Sequence, residues 1–150
     1  LLDWLALIIS LCAAALALWS LNIQRRDSLT EQKRFMRETI TILHEHLQDS
    51  AFRSARQAHG KVFQKAYEDM DAEQKENARK ILAQYGVLGR LIKHDAISRE
   101  LFLNFWESTF RRDWSRLVAF VESERQSTGN TELFSAAEWI AKDIDRDDAR

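Results

Sequence analysis

The stretch WLALIISLCAAALALWSLNIQRRDSL, Trp4 to Leu29, decides how the rest of the chain is read. From Trp4 to Leu21 there are 18 residues without a charge, and Ser10 and Ser20 are the polar exceptions. Wound as an α-helix, such a run rises about 27 Å, close to the thickness of a hydrocarbon core. Trp4 and Trp19 stand near its two ends, where indole rings suit the headgroup zone. Arg25 and Arg26 follow directly. A secretory signal is a second reading, since "AAALA" resembles a small-residue cleavage region, and a buried soluble helix is a third. A signal peptide carries its charge ahead of the apolar run, whereas here the basic pair comes after it. The order of parts favours an anchor whose basic flank stays on the cytoplasmic side. The expectation is a single-pass inner-membrane protein in contact with lipid, with its C-terminal domain in the cytoplasm.

Small residues line the run. Ser10 and Ala14, like Ala13 and Ala17, are four apart, a spacing that lets helices approach closely. The bland alternative is that alanine is common in apolar helices. The lone Cys12 excludes an intramolecular disulfide and a cysteine-based zinc site.

The 150 residues carry a net charge of −1, against a protein devoted to nucleic acid. From Gln24 to Lys93 there are fourteen bases and ten acids, and the end "DIDRDDAR" is acidic. There is no proline and there are only four glycines, which points to long helices.

Beyond the apolar run, the period of 3.6 predicts five helical segments. The first covers Gln24 to Gln48. Leu29, Met36 and Leu43 occupy one heptad position and Ile40 and Leu47 the other, a short coiled-coil seam. A break at "QDSAF" offers Asp49 or Ser50 as N-cap. A second helix carries Phe52, Ala55, His59, Val62, Phe63, Ala66, Tyr67 and Met70 on one face. Asp71, with Gln74 three residues on, reads as a capping box opening a third helix through Ile92. Gly86 and Gly89 lie within it and suggest a close neighbour. Ser98 caps a long aromatic helix, Arg99 to Arg125, and "QSTGNT" precedes a last one, Glu132 to Ile144. The fold expected is all-α: anchor 1–24, juxtamembrane stalk 25–48, and a helical bundle over 49–150.

Catalytic signals are sparse. His44 and His46 are two apart, so on a helix they point nearly oppositely and cannot share a metal; no metal or cofactor is expected. "RSARQAH", Arg53 to His59, resembles the R-x4-6-H signature of HEPN ribonucleases, which are small helical bundles. That resemblance implies His59 in acid–base chemistry and Arg53 on phosphate charge, with RNA as substrate. That family usually carries a polar residue just after the arginine, and Ser54 is a modest stand-in for it. The bland reading solvates Arg53 and Arg56 and leaves His59 at the edge of the apolar face. "TFRRDWSR" gathers Arg111, Arg112 and Arg116 around Trp114, a basic surface suited to nucleic acid or acidic lipid. Glu107, Asp113 and Glu122 make a mixed-charge surface the simpler account.

The segment from Ala78 to Ile140 resembles, as a whole, a bacterial family of unknown function, made of short proteins with an N-terminal membrane helix and a helical cytoplasmic domain. The positions that carry it are Ala78, Leu82, Gly86, Leu88, Ile97, Trp106, Trp114, Arg125, Gly129 and Phe134. In layout the chain also resembles membrane accessory proteins of antiphage systems, including a CRISPR-associated type that joins a membrane helix to a degenerate HEPN-like bundle and assembles as a pore. These features imply a non-enzymatic, self-associating protein acting at the inner membrane, such as a defence effector or pore component. Two alternatives stay open: a membrane-tethered HEPN-type ribonuclease, and a tethered adaptor that binds a protein through the aromatic face of the fourth helix.

Overall fold

The computed structural model describes the backbone of residues 2–149 and the side chains of residues 16–149, apart from positions 18 and 22. The architecture is all-α, with no strand among the described residues. The helices are α1 (Leu2–Gln48), α2 (Ser50–Gly60), α3 (Ala72–Lys93), α4 (Arg99–Thr128) and α5 (Ser135–Asp148), with a 3-10 turn at Tyr67–Asp69. The chain divides into two compact units, Leu1–Arg37 and Glu38–Arg150.

The first unit is helical, and its described apolar side chains Leu16, Trp19, Leu21, Ile23, Leu29, Phe35 and Met36 are all exposed. Among the described residues, no helix is long and apolar enough to cross a membrane. The expected single-pass inner-membrane placement, with its cytoplasmic orientation, is corrected accordingly. From Leu16 onward the described apolar residues are interrupted by the charges of Arg25, Arg26 and Asp27, whereas a spanning helix needs a predominantly apolar stretch. Ser10, Ala13 and Ala14 lie outside the residues whose side chains are described; Ala17 is exposed.

The second unit begins inside α1, at Glu38, eleven residues ahead of the boundary expected at 48/49. Thr39, Leu43 and Leu47 explain why: each is buried, so the end of α1 is part of the bundle. The seam therefore divides. Leu43 and Leu47 are used in the bundle's own core, while Leu29, Met36 and Ile40 remain exposed.

Local chemistry sets the helix starts. Asp49 accepts from the Phe52 backbone N–H at 2.8 Å, and Ser98 accepts from that of Leu101 at 3.3 Å. Asp71 and Gln74 form the reciprocal capping box, in which each side chain accepts an otherwise unpaired backbone N–H. α2 stops at Gly60, well before the predicted Met70. Residues 61–70 instead fold through turns, including Val62 N–H to the His59 carbonyl at 3.0 Å. The last helix starts at Ser135 because Phe134 takes a left-handed φ of 62°, which a helix cannot continue through. Gly129, at φ 70°, ends α4 in the conformation glycine adopts without a Cβ clash.

The core is centred on α3 and α4. Tyr85, Leu82, Leu88, Phe102, Phe110 and Leu117 are almost wholly buried. Edge-to-face rings link Phe52 to Tyr85 at 5.5 Å and Tyr85 to Phe110 at 4.9 Å, the arrangement ring quadrupoles favour. α3 packs against both α2 and α5. At Gly89 an added Cβ would lie 2.2 Å from the Ala136 carbonyl oxygen, the close approach expected of a helical glycine, whereas at Gly86 it would meet nothing within 4 Å.

Candidate functional site: a buried polar centre and an apolar groove

Polar side chains from three helices meet inside the bundle. Arg56 of α2 forks onto both carboxylate oxygens of Asp113 in α4. The Tyr85 hydroxyl of α3 donates to Asp113 Oδ2 at 2.6 Å, and the Trp106 indole N–H donates to the Tyr85 oxygen at 3.2 Å. The Arg56 guanidinium also lies over the rings of Phe52 and Trp106, at 5.6 and 5.2 Å. Burial works against the Arg56 charge, but the Asp113 carboxylate outweighs it, so its pKa rises. Burial first, and the neighbouring Asp113 charge second, push the Tyr85 hydroxyl far above its ordinary range. Tyr85 is therefore a fixed donor, and the centre is a satisfied lock with no spare proton acceptor aimed at a ligand.

A second bridge lies further along α4. Glu124 is buried and accepts from the Tyr67 hydroxyl at 2.7 Å and from Arg79 Nη2 at 2.6 Å.

The residues of the R-x4-6-H signature are not brought together. Arg53 is exposed and donates to Gln48 at 3.4 Å. His59 is buried, with neither ring nitrogen hydrogen-bonded. Six residues along a helix turn through ~240° beyond one full revolution, which separates the two faces. It is Arg56 that shares the interior with His59. Burial chiefly lowers the His59 pKa, opposed by the nearby Arg116 backbone, which falls short of hydrogen-bond geometry with either ring nitrogen, and by the Asp113 charge, and assisted by the Arg116 cation.

The three arginines of "TFRRDWSR" also diverge. Arg111 is taken up by Glu107, Asp145 and Asp148. Arg112 is exposed, 3.8 Å from Asp113. Arg116 lies over the Phe63 ring. They form no common basic patch.

An apolar groove runs between the end of α1 and α4, about 290 Å³ in volume, lined by Ile40, Leu43, Leu47, Phe105 and Trp106 with His44 and Gln48. Phe105 is 68% exposed and Ile40 49% exposed. Phe105 borders a second depression on its other side, beside Leu103, Asn104 and Glu107. Among the described residues, no group of histidine, cysteine and acidic side chains is placed to hold a metal ion.

Sequence reasoning overlooked Asp113 and Glu124, reading the first as a surface acid. A signal was present: Phe102, Phe110, Asp113, Leu117, Val121 and Glu124 follow the i, i+3, i+4 spacing of one helix face. Two carboxylates on a core-facing stripe imply buried partners.

A family model described as a domain of unknown function, DUF4760, matches residues 7–144. The chain belongs to that family. No curated protein and no solved structure matches it. Family membership brings no catalytic residue and no ligand, so the function rests on the geometry of the two sites.

Proposed function

We propose that this chain is a non-enzymatic helical module that self-associates through the groove between the end of α1 and α4. The observation that carries the reading is Phe105, an aromatic ring 68% exposed at the edge of an apolar groove of about 290 Å³. A two-fold interface sets the same patch against itself, so a patch with both a protruding ring and a receiving groove is self-complementary. The lining of the groove itself contains no lysine, arginine, aspartate or glutamate, so apposing two copies there sets no like acidic or basic side chains of that lining against each other. The nearest catalytic-type residues are already committed: Asp113 to Arg56 and Tyr85, and Glu124 to Tyr67 and Arg79. Sedimentation velocity of the full chain over a range of concentrations tests the reading. The expected outcome is a dimer or higher species that Phe105→Glu converts to a monomer with unchanged helicity. A wild-type chain that stays monomeric at high concentration, or association that Phe105→Glu leaves intact, overturns it.

A further inference from the structure

Six arginines of the second unit are half-buried: Arg56, Arg79, Arg99, Arg111, Arg116 and Arg125. Five are matched to a carboxylate, namely Asp113, Glu124, Asp143, Glu107 and Glu138 respectively, and Arg116 has none among the described residues. Its guanidinium is held instead against an aromatic face, 4.6 Å from the centre of the Phe63 ring. Stacking of that kind fixes the plane of the fork and leaves its N–H edge free to donate.

Beside it stands His59, 4% exposed and with no hydrogen-bond partner at either ring nitrogen. Buried polar atoms are nearly always paired, so an orphaned imidazole next to an unmatched arginine points to a missing partner. Both side chains line one cavity of about 230 Å³ between the end of α2, residues 61–70 and α4. That is several times the ~30 Å³ a water occupies in the liquid. Phe63, Met70 and Phe120 give it an apolar wall, while Lys65 and Glu68 share its rim. Those two rim charges offset each other, so the attraction for an anion centres on Arg116. A separate void of about 10 Å³, lined by Arg56, His59, Asp113 and Arg116, is at most water-sized.

We propose that the larger cavity is a binding site for a small oxyanion, a carboxylate or phosphate carrying a compact apolar group, held by Arg116 with His59 as the second donor. The planar guanidinium matches the spacing of carboxylate and phosphate oxygens and donates to two at once. The apolar group lies on Phe63, Met70 and Phe120. Both ring nitrogens of His59 are shielded from solvent, so the imidazole turns to reach the anion, and that turn can be read directly.

Long-range proton–nitrogen NMR of the full chain, titrated with benzoate, phenyl phosphate and inorganic phosphate at constant pH and ionic strength, tests the site. The expected result is a saturable shift of the His59 ring with benzoate or phenyl phosphate, and which of the two binds tighter tells carboxylate from phosphate. Arg116→Gln should weaken binding at least tenfold, Arg116→Lys should recover part of it, and Arg111→Gln should leave it unchanged, with circular dichroism reporting the fold of each. Inorganic phosphate binding as tightly as phenyl phosphate would overturn the role of the apolar wall. No saturable response to any probe, or one that Arg116→Gln leaves undiminished, would overturn the site.

Discussion

The Tyr85 hydroxyl donates to Asp113 Oδ2 at 2.6 Å, and both residues lie inside the helical core. Their separation of 28 positions in sequence makes the bond a tertiary one, joining α3 to α4. Asp113 also takes the Arg56 fork, so one carboxylate ties three helices together.

Asp113→Ala should be among the most damaging substitutions in the chain. It strips Arg56 of its carboxylate and Tyr85 of its acceptor while both stay largely buried. Removing one partner of a buried pair costs about 3–5 kcal/mol. Tyr85→Phe deletes a donor but keeps the ring, and a loss of about 1–2 kcal/mol is expected. Urea unfolding followed by circular dichroism checks both; equal losses for the two variants would contradict the ranking.

Acid should weaken the fold through His59. Burial lowers its folded pKa, so the unfolded chain takes up the proton first, near pH ~6.5. Stability is then lost as pH falls below that value toward the lowered folded pKa. His59→Leu should flatten this limb between pH 7 and 5. Glu138 acts next: bonds from Lys142 and then Arg125 lower its pKa, so its contribution is present above the ordinary carboxylate value and fades below it. Unfolding curves for wild type and His59→Leu at a series of pH values give the comparison, and parallel curves would refute it.

The two glycines of α3 should respond oppositely to alanine. At Gly89 the new methyl would meet the Ala136 carbonyl oxygen at 2.2 Å, forcing α3 and α5 apart at a cost of about 1–3 kcal/mol. At Gly86 nothing lies within 4 Å, and the better helix propensity of alanine should stabilise by up to ~1 kcal/mol. Thermal melts of both variants decide the matter.

Thr39→Val should cost about 1–3 kcal/mol through a single lost acceptor. The Thr39 hydroxyl, fully buried, accepts from the Ser98 backbone N–H at 3.1 Å, at the start of α4. Valine keeps the shape and leaves that N–H unpaired. Amide hydrogen exchange should quicken at Ser98 in the variant, and unchanged protection there would count against the assignment.

What the sequence disclosed was mostly local. Asp49, Asp71 and Ser98 were legible as caps because a cap needs only a side-chain oxygen and a backbone N–H two or three residues on. The end of α2 was not. Val62, Phe63, Ala66, Tyr67 and Met70 keep a helical period after Gly60, and the turns of 61–70 still lay all of them but the exposed Ala66 back toward the bundle. The run ending at Leu21 looked long enough for a membrane, but among the described residues no helix meets that requirement. The polar centre was hidden for another reason: Arg56 and Asp113 are 57 positions apart, and only the folded backbone brings them together. Arg53 drew attention through a spacing that helical geometry turns outward.

Asp113 and Glu124 lie 11 residues apart on α4, about three turns and ~16 Å along its axis. Arg56 of α2 grips the first and Arg79 of α3 the second. A rod fastened at one point can still swivel, but one fastened at two along its length keeps both its azimuth and its axial position. A slip of α4 by one residue would rotate both carboxylates by ~100° and strand four charges at once. The two arginines thus serve as indexing pins, selecting one alignment of the longest helix in the bundle from the many that apolar contact alone would tolerate.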